Sequence, residues 1–421
     1  MKQFIRWAPG ALFLLLVFSG CGNDPGTKVT PTVVNADGSP GVIVAAAYQV
    51  EDGSWQPLNP DADGGISFYV PKGKARYGVA VRCAGMFLMA NYSFNTVAQL
   101  TTAESTAPRL TCMTAGPYAR IKGNVNVSGV TGAAKYQTYS WISNYERNAT
   151  SGEYRLSAGY GTGRDMVVFA TDASDAGLAG KIVRGIDARA PVTVPDLSLT
   201  NADALLNYNI GAFSVPSGWS GDYSLNLYSA GGTVVTSNVL GEGTHAGGAV
   251  HVLADAQAGD TYMLSISASG GTGTGSIARM RYVDAPDMGD ISESLHIQPF
   301  AGYSVTAAVR PVFPANHPGD VLAYVFMVLS DINLWTYTVS TAWLDGAATY
   351  ATPDLSGLRG FKHNYALSGE GIGWFTFAFV ANVSAQEFFE LPSVPLYFFS
   401  LPKKKGLVLD IASANGSFLA P

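Results

Sequence analysis

The sequence predicts an all-β chain of tandem antiparallel β-sandwich domains, on three observations. Apolar and polar side chains alternate over short runs, as at Ile66, Phe68 and Val70, at Tyr223, Leu225 and Leu227, and at Phe375, Phe377 and Phe379. A period of two places one set of side chains on the buried face of a strand and the other set in water. The runs are separated by turn formers, for 48 of the 421 residues are glycine and 22 are proline. Glycine accepts positive φ and proline pre-sets a turn, so both reverse the chain between strands. Charge is sparse: Asp, Glu, Lys and Arg make up 13% of the chain, against about 25% in an ordinary soluble domain. With a formal net charge of -6, this composition excludes a basic nucleic-acid binder, a charge-rich disordered chain and a helical bundle. No nucleic-acid partner is expected. No apolar run reaches the length of about 20 residues that a spanning helix needs.

In chain order, residues 1–20 have the layout of a processing signal. Lys2 and Arg6 form a positive start, and Ala11–Phe18 is an apolar stretch too short to span a bilayer. Ser19 and Gly20 are small, and Cys21 follows. The segment resembles a bacterial lipobox, with Phe18 where that family prefers Leu. The resemblance implies that Cys21 is acylated and becomes the mature N-terminus. An ordinary secretory signal cut nearby, leaving Cys21 a plain thiol, is the other reading of the same residues. Several acyl chains give stable anchoring, because each buried methylene contributes about 0.8 kcal/mol and one chain alone is marginal. The expected location is the cell envelope, lipid-anchored. Gly22 stands where an Asp often marks inner-membrane retention, which favours the outer membrane. Residues 21–27 are small and turn-forming, as a tether requires.

With Cys21 lipidated, Cys83 and Cys112 are the two cysteines left. Export places them in an oxidising compartment, where such a pair tends to bridge. A disulfide is expected, and two separate buried thiols are the alternative.

Beyond the tether the strands recur in order. Asp63–Val70 leads into Arg76–Val81, Ser151–Leu156 into Asp165–Ala170, and Gly248–Leu253 into Gly259–Ile266. Tyr365–Gly369 followed by Trp374–Phe379 is a more diverged fourth copy. A repeat of about 90–110 residues is the size of one small sandwich. The units are drawn at 28–116, 117–202, 203–301 and 302–421. In the first unit Val33–Val44, Asp61–Phe68 and Pro71-Lys72-Gly73 resemble the carboxypeptidase regulatory-like domain, a transthyretin-like, Ig-like sandwich, over residues 28–115. The second unit is similar more faintly, through Ile121–Val125 and Ser151–Tyr154. The resemblance implies an accessory, noncatalytic module of exported bacterial proteins. Helix is expected at Ser384–Glu387, which has capping-box spacing before Phe388 and Phe389, and for a turn or two at Asn201–Leu206.

Candidate chemistry is thin. Asn59, Asp61 and Asp63 follow the opening of a calcium loop, but Val70 stands where a bidentate Glu is needed, so a polar hairpin loop is the better reading. His245, His251, His296, His317 and His363 lack the spacing that sets two ligands on one helix face. Gly218-Trp219-Ser220-Gly221-Asp222 fails the nucleophile-elbow pattern at its last position. The glycine-rich stretches Gly159–Gly163 and Gly271–Ser276 lack the lysine of a phosphate loop and read as hairpin tips. Trp335, Tyr337 and Trp343 stack on sugar rings if exposed and belong to the core if buried. Phe388–Phe399, followed by Lys403-Lys404-Lys405, reads as a core strand with a protected edge or as a docking edge. The expectation is a noncatalytic, cofactor-free envelope lipoprotein that binds or scaffolds, with an envelope protein or a polysaccharide as partner. A carbohydrate-binding lipoprotein and a hydrolase with an unfamiliar site are the alternatives.

Overall fold

A computed structural model describes residues 26–35, 38–84, 93–112, 118–141, 143–236, 239–270, 275–284, 291–300, 303–307, 310–330, 333–361, 369–396 and 399–419. The signal segment and Cys21 lie outside the described residues, as do His363, the glycine-rich tip at 271–274 and most of the fourth repeat's opening run. Among the described residues the regular structure is nearly all strand. The helices are short: Thr341–Leu344, Ala385–Glu390 and a 3-10 turn at Asn201–Asp203. Ser384 and Glu387 form the capping box that the spacing predicts, each satisfying a backbone N–H of the other's residue. Thr200 and Asp203 do the same for the 3-10 turn.

One sheet of thirteen strands forms the spine. It begins with an antiparallel quartet, Gln56–Leu58, Ile43–Val50, Arg76–Cys83 and Ser93–Thr101. Asn333–Ser340, Ala323–Leu329, Gly371–Ala381 and Val408–Leu419 follow, then Ser276–Val283, Thr261–Ser269 and Ser220–Tyr228. Val234–Thr236 and Glu242–Thr244 both pair with the last of these. The sandwiches along the chain therefore share a layer: strands from 28–116, 302–421 and 203–301 lie in a single hydrogen-bonded sheet. Two seams make it continuous. Ser93–Gln99 runs parallel to Asn333–Val339, and Ser276–Arg281 runs antiparallel to Val408–Ser413.

Burial on both faces explains why these strands read as they do. In Ala323–Leu329, Ala323, Val325 and Met327 join one core, whereas Tyr324, Phe326 and Val328 join the core on the other side. A strand covered on both faces loses its polar alternation and becomes an unbroken apolar run. The first core is closed by two small ladders. Thr27–Val29 pairs with Phe68–Val70, and Thr32–Asn35 runs parallel to Arg109–Cys112. Val29, Phe68, Val70 and Leu110 point inward from them, and helical Phe388 and Phe389 fill the far end. The Cys83–Cys112 disulfide ties the large sheet to this second layer, with Cα atoms 5.9 Å apart. The second core is closed by a small ladder of Val312–Pro314 on Thr349–Ala351, which brings in Phe313 and Tyr350, and by loop side chains, among them Phe300, Leu355 and Phe361. Burial of side chains of this size contributes about 1.5–3 kcal/mol each.

Residues 118–200 form two further sheets with a core of their own between them, built on Ile121, Val125, Tyr154 and Val168. The outer face of one sheet carries Tyr139, Val167, Phe169 and Ile182, which pack on Leu253, Tyr262 and Leu264 of the next segment. An ion cluster borders that junction. Arg184 donates to Asp260 at 2.7 and 3.1 Å and reaches Asp165 at 3.5 Å and the Asp255 carbonyl at 3.1 Å. The Asp165 and Asp260 side chains are 3% and 1% exposed, so both charges depend on partners inside the protein.

At the parallel seam, Ser340 is fully buried and bonds in two directions. Its hydroxyl caps the short helix by accepting the Trp343 N–H at 3.0 Å, and it donates to Glu104 at 2.6 Å across the seam. Ser340→Ala removes a cap and a charge-assisted bond, with an expected loss of about 1–2 kcal/mol in urea unfolding. An unchanged midpoint would show that neither bond contributes.

Candidate functional site

An open groove of 690 Å³ that combines aromatic rings with polar groups lies where the first segment meets the last. Its floor is the face of the large sheet. Gln49, Gly78 and Gln99 stand side by side on three paired strands. One wall is the turn that closes Ile43–Val50 onto Gln56–Leu58. Glu51 takes a left-handed backbone there, with φ of 52°. Its carboxylate holds the turn by accepting the N–H of Ala75 at 2.8 Å and that of Arg76 at 3.2 Å. The turn carries Trp55, whose indole lies so close over Gly78 that a Cβ there would come within 2.8 Å of the ring. A glycine at 78 is what allows this approach.

The other wall comes from residues some 290 positions later in the chain. Trp343 and Leu344 of the short helix, Tyr350 and the 353–358 loop line it. Tyr350 donates to the Gln99 side-chain oxygen at 2.7 Å, and the Gln99 amide donates to Gln49 at 3.3 Å. The two walls are thus joined through the floor. Arg76 sits at the end of the groove, with its guanidinium 5.5 Å from the Trp343 ring centroid.

Electrostatics leave the groove mildly acidic. Arg76 pairs with Glu51 at 3.0 Å and with Asp52 at 2.8 Å. The Glu51 hydrogen bond raises the Arg76 pKa further, against the opposing effect of burial. The Ala75 N–H holds the Glu51 carboxyl below its usual range, and Arg76 adds to this while burial opposes it. Asp354 is lowered by the Ser356 hydroxyl and N–H, with a smaller contribution from Arg310. A second groove, of 490 Å³, lies along Pro31–Val33, Pro40–Ile43, Pro60 and Asp63–Ile66, and Asp63 is the one ionisable residue lining it.

No family model matches the chain, and no curated protein matches it. Among solved structures it is similar to the Bacillus anthracis TIE protein, at 8% identity and a TM-score of 0.15, over 64% of this chain and 50% of that one. It is similar to a streptococcal ancillary pilin at 8% identity and a TM-score of 0.15, over 65% of this chain and 100% of that one. The open conformation of the pilus adhesin SpaC from Lactobacillus rhamnosus GG gives 11% identity and a TM-score of 0.14, over 75% of this chain and 43% of that one. The chain spans about half the length of the first of these. TM-scores this low mark loose superpositions.

The residues singled out from sequence fall in different places. Cys83 and Cys112 are joined. The aromatic trio is core: Trp335 is 3% exposed and stacks on Tyr337 with centroids 5.7 Å apart, and Trp343 is 8% exposed. Trp335 is therefore no sugar platform, because both faces of its strand are covered; Trp343 reaches the groove beside Arg76. Asp61, which the sequence grouped with Asn59 and Asp63, is engaged within its own turn. Its Oδ1 accepts the N–H groups of Asp63 at 3.1 Å and Gly65 at 2.7 Å, which makes it the cap of its own turn. Among the described residues no three His, Cys, Asp or Glu side chains come together as metal ligands. Phe388 and Phe389 are buried. Of the lysines that follow, Lys404 pairs with Glu387, Lys405 pairs with Asp284 at 2.8 Å and Lys403 lies 6.0 Å over the Tyr228 ring.

Among the histidines, His317 is buried and bonded to the Gln298 carbonyl, and His251 bonds Asn207 at 2.6 Å. Ser294 and His296 form a hydrogen bond of 2.8 Å, but both are exposed and line neither groove. Sequence reasoning missed Trp55, Gln49, Gln99 and Arg76. The available signal was Trp55 itself, an indole in the polar turn Asp52-Gly53-Ser54.

Proposed function

We propose that the protein is a noncatalytic cell-envelope lipoprotein whose β-sandwich body serves as a rigid binding or scaffolding array. The observation that carries this reading is the sheet shared by three segments of the chain. Tandem sandwiches on flexible linkers move independently, whereas strands bonded across both seams hold their surfaces at fixed spacing. Cys21, acylated and then left as the mature N-terminus by removal of residues 1–20, is the anchor, and the short stretch between it and the strand that starts at Thr27 is the tether. The resemblance of residues 28–115 to the carboxypeptidase regulatory-like domain supports an accessory role in an exported protein. Among the described residues no helix is long and apolar enough to cross a membrane.

Globomycin, which blocks the lipoprotein signal peptidase, tests the anchor. An uncleaved precursor should accumulate in treated cells, and Cys21→Ala should release the protein from the membrane fraction. Normal maturation under the drug overturns the lipoprotein reading.

A further inference from the structure

We infer that the groove between the Glu51–Ser54 turn and the 343–358 segment binds a neutral oligosaccharide. This goes beyond the array reading and does not depend on the lipid anchor. The lining has the two halves that such a ligand requires. Trp55, half-buried, is the aromatic ring open to a ligand, and Trp343 and Tyr350, 8% and 4% exposed, line the opposite side with little accessible area. A pyranose ring presents apolar C–H faces that pack on aromatic rings. Its hydroxyls both donate and accept, so they are satisfied by side-chain amides and carboxylates placed close together. Gln49 and Gln99 supply the amides, and Asp354 with Asp52 supplies the carboxylates. At 690 Å³ the space lies within the 300–1,000 Å³ typical of small-ligand clefts.

Other ligand classes fit worse. Arg76 is the lone cation lining the groove, and Glu51 and Asp52 already neutralise it. An anionic ligand would meet Asp52 and Asp354 with no spare positive charge. An apolar ligand would strip water from two carboxylates and two amides without replacing their hydrogen bonds. A peptide adding as a strand needs an open sheet edge, and the floor here is a sheet face. The site is also preorganised: the Tyr350–Gln99–Gln49 chain of hydrogen bonds joins the two walls, so little ordering remains for the ligand to impose.

The test is a titration of the full-length chain in detergent with cellotetraose, chitotetraose and mannotetraose, followed by tryptophan fluorescence and calorimetry. Tetragalacturonate and a neutral octapeptide serve as competing probes. At least one neutral tetramer should bind saturably and change the emission. Trp55→Ala should weaken that binding by about tenfold or more. Gly357→Phe should do the same by obstruction, and it is the safer variant because a Cβ at 357 meets no heavy atom within 4 Å. Tyr118→Ala, which removes an exposed aromatic 58% accessible in another segment, should bind as the wild type does. The inference is overturned by absence of binding to all three neutral tetramers at about 10 mM. It is equally overturned by binding that survives Gly357→Phe, or by the galacturonate or the peptide binding at this groove as tightly as the neutral tetramers. None of these outcomes bears on globomycin sensitivity, so the anchor and the groove stand or fall separately.

Discussion

Arg184→Met is expected to lower stability by about 3–5 kcal/mol, because it leaves buried carboxylates without their counter-charge. Asp260 accepts from Arg184 and also from the N–H groups of Ala230 at 2.8 Å and Gln257 at 2.9 Å. Asp165 accepts from Gly231 at 2.8 Å, and its carbonyl takes the Thr233 hydroxyl. Each carboxylate thus bridges two segments, residues 118–200 and the one that follows, and Arg184 is the cation both share. The effect should appear as an earlier unfolding transition and as new protease cleavage near the 201–206 connection.

The pH dependence has a definite sign. Burial alone would raise the Asp260 pKa, but the bonds from Arg184, Gln257 and Ala230 prevail and hold its carboxyl below the usual aspartate range. A carboxyl with a depressed folded pKa stabilises above its unfolded pKa, and that contribution fades as pH falls through the folded value. The wild type's advantage over Arg184→Met should therefore be full at neutral pH and shrink below about pH 4. Asp255, raised by burial, acts in the opposite sense, favouring the folded state at low pH and losing that effect as pH rises through its folded value. A pair of denaturation curves at pH 7 and pH 3.5 that differ by the same amount would contradict this account. Arg184→Met combined with Asp260→Asn should lose less than the two single changes summed, by about 0.5–3 kcal/mol, since the residues are in contact.

Reduction of the Cys83–Cys112 bridge is expected to cost about 3–4 kcal/mol, the loop-closure entropy returned to the unfolded chain by a crosslink of this span. The two residues are 29 apart in sequence. Both cysteines are buried, at 4% and 0% exposure, and they fasten the edge of Arg76–Cys83 to the parallel ladder of Thr32–Asn35 and Arg109–Cys112. Loss of the fastening should loosen this second layer first, exposing Val29, Leu110 and Phe94 before the centre of the large sheet. Urea midpoints with and without reductant measure the effect, and hydrogen exchange at residues 109–112 locates it. The double variant Cys83→Ala, Cys112→Ala should be insensitive to reductant. Equal midpoints for the oxidised and reduced wild type would remove the bridge from the list of stabilising contacts.

Local pattern alone determined the strands and the caps, whereas the bridge was legible only from the count of cysteines. Val29, Phe68 and Val70 face inward, and Tyr223, Leu225 and Leu227 are buried, because a two-residue period has one solution for which side is dry. The Ser384–Glu387 cap and the Asn201–Asp203 turn were legible for the same reason: each is settled within four residues. The seams were not. Ser93–Gln99 meets Asn333–Val339 across some 240 residues of sequence, and nothing in either strand names its neighbour. The unbroken apolar run of Ala323–Leu329 signals cover on both faces but not what supplies it. The groove follows from that pairing, since Gln99 faces Tyr350 only once the strands Ser93–Thr101 and Asn333–Ser340 lie side by side. Periodicity is a property of consecutive residues, whereas a binding surface shared by Trp55, Gln99 and Tyr350 is fixed by the tertiary fold.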